Sequence, residues 1–224
     1  GEATRQTVYG DDAAAVADAF ARAGARWIHV VDLDRAFGTG ENDASLRRIL
    51  SRVAGRARVQ SGGGYRTLEL VRRGIDLGVD RVVVGTAAAL DPAFLGAVAS
   101  SVPVERLAAG LDAREGMVAV RGWTETSDIP VAELAARALG VGISTLIYTD
   151  VARDGMLGGP DVEGAARLQL EGARVIVSGG VSSLADLRRA AAAGMAGAIV
   201  GRALYESRFD LAQALQAVTS TPRV

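Results

Sequence analysis

Short runs of Val, Ile and Leu alternate along the chain with longer Ala/Leu/Arg stretches whose apolar positions recur at helical spacing. The runs Trp27–Leu33, Arg58–Ser61, Arg81–Gly85, Leu107–Asp112, Thr145–Thr149, Arg174–Ser178 and Ala198–Gly201 read as strands. Asp11–Ala23, Ala44–Val53, Thr67–Leu77, Val131–Leu139 and Leu184–Ala193 read as helices between them. The strand runs are continuously apolar rather than alternating, which is the pattern of a parallel sheet covered on both faces. A further β-like piece, Met117–Trp123, follows Leu107–Asp112 and is assigned to its loop. No linker, low-complexity tract or charge block interrupts this order, so residues 1–224 read as one domain.

A long-period repeat selects among the α/β architectures. At an offset of 116 residues, Gly63-Gly64 falls on Gly179-Gly180, Leu68 on Leu184, Arg72-Arg73 on Arg188-Arg189, Gly78 on Gly194 and Gly85 on Gly201. Asp34 falls on Asp150 at the same offset. Each repeat spans several βα units, so the expected fold is a (β/α)₈ TIM barrel closed from two half-barrels. Strands two, three and four pair with six, seven and eight. The partner of Leu107–Asp112 falls ahead of Gly1, so the expectation is an N-terminally truncated barrel lacking its first strand. A barrel of this kind typically takes about 250 residues, with a low end near 200.

Composition then narrows the chemistry. The 224 residues carry 25 basic and 26 acidic side chains, and every basic one is Arg. Such a balance gives no basic stripe for nucleic acid. No apolar run approaches the roughly 18–20 residues of a membrane span, and no signal peptide opens the chain. A soluble, cytoplasmic protein is expected, and the absence of Cys agrees with that. Without Cys there are no disulfides, thiolate zinc sites or Cys nucleophiles; without Lys there is no lysine Schiff base and no Walker-type phosphate loop. His29 is the single histidine, so no multi-histidine metal site can form and no metal is assigned. Acid–base work falls to Asp and Glu, and anion binding to Arg and backbone amides.

Barrel active sites lie at the C-terminal ends of the strands, with phosphate often held after strands seven and eight. There the sequence has Ser178-Gly179-Gly180 and Gly201-Arg202; the first half repeats the device as Gly62-Gly63-Gly64 and Gly85-Thr86. Alone, a glycine pair is a tight turn. The symmetric set after four strands points to two opposed phosphate cradles and a small substrate phosphorylated at both ends. Gly38-Thr39-Gly40 lacks the third glycine of a dinucleotide fingerprint. Asp112 ends strand five, and Asp150 and Asp154 follow strand six, where burial can raise a carboxyl pKa enough for acid catalysis. Asp32, Asp34 and Asp150 are read first as helix caps or loop holders, and His29 as a strand residue. Arg121-Gly122-Trp123 either clamps a planar anion or is a surface Arg beside a packing Trp.

The segments His29-Val-Val-Asp-Leu-Asp34, Gly110-Leu-Asp112, Arg121-Gly-Trp123, Thr149-Asp-Val-Ala-Arg-Asp-Gly-Met-Leu-Gly-Gly-Pro160, Ser178-Gly-Gly-Val-Ser-Ser183 and Gly197-Ala-Ile-Val-Gly-Arg-Ala-Leu-Tyr205 together resemble the phosphoribosyl isomerase family of histidine biosynthesis. The likeness is strongest to its actinobacterial branch, some of whose members also isomerise phosphoribosylanthranilate in tryptophan synthesis. It runs essentially from Gly1 to the C-terminus. It implies a cofactor-free Amadori rearrangement of the bisphosphate ProFAR to PRFAR, in which one Asp protonates the ribose ring oxygen and a second removes the C2 proton. By motif match Asp154 is the acid, with Asp112 and Thr149 assisting. Arg66 matches a substrate-contacting Arg, and Arg121 and Trp123 match the loop that bifunctional members use. The likeness also suggests a monomer.

Two departures follow from the same comparison. The family's base Asp lies on the first strand, which this sequence does not include, so a polypeptide starting at Gly1 is expected to show negligible activity and a poorly closed barrel. Bifunctional members resemble Ser-Gly-Gly-Ile-Arg where this chain has Gly62-Gly-Gly-Tyr-Arg66, which weighs against the anthranilate activity. Met156 stands where Thr is usual. The alternatives are the related imidazole-glycerol-phosphate cyclase, which needs a glutaminase partner, and a non-catalytic phosphate-binding barrel fragment without its base; the Arg121–Trp123 loop favours the isomerase.

Overall fold

The computed structural model describes residues 7–220. Its strands are β1 (Trp27–Val31), β2 (Arg58–Gly62), β3 (Arg81–Val84), β4 (Leu107–Arg114), β5 (Met117–Val120), β6 (Glu125–Pro130), β7 (Thr145–Asp150), β8 (Arg174–Ser178) and β9 (Gly197–Ala198). The helices are α1 (Ala13–Arg22), α2 (Leu33–Phe37), α3 (Asp43–Val53), α4 (Leu68–Asp76), α5 (Thr86–Leu90), α6 (Pro92–Ala99), α7 (Val131–Gly140), α8 (Val162–Ala166), α9 (Leu184–Ala192), α10 (Arg202–Tyr205) and α11 (Leu211–Thr219). The barrel strands run in the order β1-β2-β3-β4-β7-β8-β9 with parallel neighbours throughout. This is the curled parallel sheet with outer helices that the sequence pattern predicts. Among the described residues β1 and β9 do not pair with one another.

Burial explains the continuous apolar runs. Val82, Val84, Leu107, Leu111, Leu146 and Val177 turn outward under the helices and are wholly buried there, against Val71, Val98, Leu134 and Ala138. The five expected helices all form within two residues of their expected ends. β2, β4 and β7 run one or two residues further than expected, and β9 starts one residue earlier; β1, β3 and β9 end earlier, where helix caps follow. Asp32 caps α2, so Leu33 starts that helix rather than ending β1. Gly85 and Gly201 cap α5 and α10 and lie beyond their strands, and β9 is only two residues long. The Met117–Trp123 piece is β5 plus a turn, the first arm of an antiparallel excursion from β4 that β6 completes.

The repeat is visible in the backbone. α4 and α9 start on Leu68 and Leu184, each capped by the hydroxyl of the preceding residue, Thr67 and Ser183. Gly63 and Gly179 have φ of 89° and 84°, and Gly64 and Gly180 have 73° and 80°. Gly85 and Gly201 share ψ of −98°.

His29 is tied into the barrel wall by a chain whose polarity is fixed. Arg81 Nη1 donates to Gln60 Oε1 at 3.2 Å, so the amide nitrogen of Gln60 faces His29 Nδ1 at 3.0 Å and must donate to it. The imidazole therefore accepts at Nδ1 and is neutral, and burial holds its pKa down at about 4. The unfolded imidazole protonates near pH 6.5 and the folded one only near 4, so stability is intact above the higher value and falls as pH falls between the two. In ¹⁵N-detected NMR the lone histidine should stay in its Nε2–H form down to about pH 5. A midpoint near 6.5 would contradict this.

Candidate active site at the barrel mouth

Register builds the centre of the mouth. Asp112 of β4 pairs with Thr149 of β7, which pairs with Ser178 of β8, so three polar side chains stand side by side on the inward face. Asp112 Oδ2 accepts a hydrogen bond from Trp123 Nε1 at 2.8 Å, and Thr149 also hydrogen-bonds the carboxyl. Burial pushes the Asp112 pKa up; these two hydrogen bonds oppose the shift, and the charge of Asp154 adds to it.

Asp154 sits in the turn after β7, and the sequence explains its place. Asp150 ends the strand and organises the turn with its carboxylate, accepting from Ala152 N at 3.0 Å and Arg153 Nε at 3.0 Å; its carbonyl accepts from Asp154 N at 3.1 Å. Gly179 then packs beneath the turn, where a Cβ would lie 3.1 Å from Asp150 O and in ordinary contact, 3.5 Å, with Asp154 Cα. From α10, Arg202 Nη1 donates to Gly155 O at 2.6 Å and clamps the far side of the turn. Burial raises the Asp154 pKa, opposed by a hydrogen bond from the Gly155 amide. Burial thus shifts both carboxyl groups in the direction that general-acid catalysis uses.

The glycine turns flank this centre. Gly180 O accepts from Gly159 N at 2.9 Å, stitching the β8 turn to the end of the β7 loop. In the other half, Gly63 and Gly64 pack directly on the backbone of Asp32 and Arg35. Gly85 and Gly201 cap their helices with no side-chain hydrogen bond to the first turn.

The remaining expected residues divide. Arg66 donates from Nη2 to the carbonyl of Ala36 and so braces the β2–α4 turn against α2. Arg121 is exposed and pairs with Glu125 at 2.8 Å, while Trp123 turns inward onto Asp112. The two open readings of that loop therefore separate: the Trp packs into the site and the Arg stays at its rim. Arg121, Gly122 and Trp123 have φ of 52°, 65° and 69°. This turn is held by Arg114 Nη2 donating to Trp123 O at 2.7 Å and by Phe37, which abuts Gly122. Asp32 lies apart from Asp112 and is a cap: it accepts from Arg35 N, Asn42 N and Asn42 Nδ2 at 3.1, 2.9 and 2.8 Å. Burial acts to raise its pKa, yet the hydrogen bonds from Asn42 and Arg35 hold it below the usual value. Asp34 Oδ2 shares the Asn42 amide at 2.7 Å. Sequence reasoning missed Ser178 as an inward neighbour of Thr149, and missed Asn42 and Phe37. Strand parity alone identifies Ser178; the other two depend on long-range contacts.

Trp123→Phe keeps the ring and removes the donor to Asp112. A hydrogen bond to a charged group is worth about 1.5–3 kcal/mol, so kcat should fall roughly tenfold or more, with KM changed less. Unchanged kcat would show that this bond does not reach the chemistry.

Residues 1–210 match the family model described as "Histidine biosynthesis protein". Curated relatives from Methylocella silvestris and Symbiobacterium thermophilum are 46% and 47% identical, over 97% and 96% of this chain and 89% and 88% of their own lengths. One from Sphingopyxis alaskensis is 48% identical over 97% of this chain and 90% of its own. All three are named 1-(5-phosphoribosyl)-5-((5-phosphoribosylamino)methylideneamino) imidazole-4-carboxamide isomerase. No helix among the described residues is long and apolar enough to cross a membrane.

Proposed function

The chain belongs to the histidine biosynthesis protein family, and on that premise we propose that it isomerises ProFAR, the bisphosphate in its relatives' name, to PRFAR. The observation that carries the reading is the half-buried pair Asp112 and Asp154 at the mouth, both with raised proton affinity. Asp154, protonated, gives its proton to the ribose ring oxygen; the C1–O bond breaks and the amino nitrogen's lone pair forms the imine. Loss of the C2 proton returns an electron pair to that imine and yields the enolamine, which tautomerises to the ketone. Thr149 and Trp123 fix the Asp112 carboxyl beside the reacting carbons. The resemblance puts the base ahead of β1, and no described residue is assigned to that role.

In the same reading Gly63, Gly64, Gly85 and Thr86 cradle one phosphate, with Arg66 beside it. Gly179, Gly180, Gly201 and Arg202 cradle the other. The chemistry calls for no cofactor or metal, and a cytoplasmic monomer suffices for it. Protein expressed from its whole reading frame should convert ProFAR to PRFAR. Failure to do so, with bisphosphate binding retained, would favour the non-catalytic barrel; ammonia-dependent consumption of PRFAR would favour the cyclase.

A second activity on phosphoribosylanthranilate, as in the actinobacterial bifunctional branch, is favoured by Trp123 reaching Asp112, since an aromatic beside the assisting carboxyl offers a face on which an anthranilate ring stacks. Gly62, where bifunctional members have Ser, counts against it. Assay with phosphoribosylanthranilate as sole substrate decides between dual and single specificity.

A further inference from the structure

Strand register defines a second polar layer at the opposite end of the barrel. The parity that turns Asp112, Thr149 and Ser178 inward also turns Arg174 of β8 inward. Through the pairs Val83–Ala108, Gln60–Arg81 and Trp27–Arg58 it does the same for Arg81, Arg58 and Trp27. Each Arg is the first residue of its strand, so all three stand at the N-terminal floor. The Arg81 guanidinium lies 4.1 Å from the Trp27 ring centre and that of Arg58 lies 5.5 Å from it.

Among the described residues this layer is basic and unbalanced. The inward positions of β1, β2, β3 and β8 contain no carboxylate. Asp80, the one acid among the described residues that acts on Arg81, already accepts the Val59 amide at 2.8 Å. Arg81 is only 7% exposed, and its Nε has no hydrogen-bond partner. Burial foremost, then the charges of Arg174 and Arg58, lowers the Arg81 pKa, the direction expected of like charges brought together without a counter-ion.

We propose that Arg58, Arg81 and Arg174 form a binding site for a small oxyanion of the inorganic-phosphate class, on the barrel face opposite the mouth. Planar guanidinium forks match such an anion in geometry as well as charge. Counting along the paired strands at about 3.3 Å per residue, Arg174, Arg81 and Arg58 lie about 13, 20 and 26 Å below the level of Asp112. The layer is therefore separate from the cradles of the proposed active site and does not depend on that reading.

Trp27 reports on it directly. Trp27 and Trp123 are the two tryptophans of the chain, so Trp123→Phe leaves Trp27 as the single indole emitter. Inorganic phosphate titrated at constant ionic strength should change Trp27 emission saturably, and chloride should not. Arg58→Gln with Arg174→Gln, in the same background, should weaken phosphate at least tenfold while the thermal midpoint confirms folding. If the pair fails to fold, Arg174→Gln alone leaves both contacts to Trp27 in place and should still weaken phosphate severalfold. A response equal to that of chloride, or phosphate binding undiminished in a folded variant, would overturn the proposal.

Discussion

Asp154→Asn is expected to lower turnover of ProFAR by about a hundred- to ten-thousand-fold, the range contributed by a positioned general acid. Asn is nearly isosteric, so the turn held by Asp150, Gly179 and Arg202 should survive and bisphosphate affinity should change little. What is lost is the transferable proton. The raised pKa gives the effect a sign in pH: a group acting as an acid works below its pKa, so wild-type kcat should decline as pH rises through the Asp154 titration. The residual activity of the variant should lose that limb. The charge of Asp154 is also one of the influences raising Asp112, so removing it should lower the Asp112 pKa, readable by carboxyl-selective NMR. Turnover within a few-fold of wild type would take Asp154 out of the acid role.

Gly63→Ala should cost far more stability than methyl addition at an open glycine turn. Gly63 adopts φ of +89°, and an added Cβ would meet Asp32 O at 2.4 Å with Asp32 N and C both at 3.0 Å. These are backbone atoms pinned by the Asp32 N to Gly62 O hydrogen bond at 3.1 Å, so nothing flexible can yield. The left-handed conformation alone costs a non-glycine residue about 1–2 kcal/mol. Gly55→Ala is the control, with φ of +72° and nothing within 4 Å. The excess loss in Gly63→Ala over that control isolates the close approach. We expect it to exceed about 2 kcal/mol, or roughly 4–8 °C in Tm for a chain of this size. Equal Tm shifts in both variants would show that the turn moves freely away from Asp32.

The sequence carried the frame of this barrel further than its contents. Strands β3 and β8 were legible because residues buried on both faces leave an unbroken apolar run, and the repeat offset located the glycine turns before any geometry. β6 was not: Glu125–Pro130 is largely exposed and polar, so it has no alternation to detect. α2, α5, α8 and α10 are four or five residues long, too short for a 3.6-residue period to emerge. Asp32 as a cap was readable locally, since its main partners lie within ten residues. Trp123 was not, because its choice between rim and centre depends on Asp112 and Phe37, brought near only by the curl of the sheet. The basic floor was hidden for a similar reason: Arg58, Arg81 and Arg174 look like ordinary strand-start residues until register turns them to one side.

The single hydrogen bond from Arg202 to the carbonyl of Gly155 links the start of α10 to the turn that carries Asp154. A phosphate seated at that helix start would engage the same arginine that holds the acid in place. Part of the energy of gripping the substrate's remote end would then be spent on aligning the proton donor. An analogue missing that phosphate should accordingly react more slowly even when saturating, the mark of binding energy expressed in the transition state.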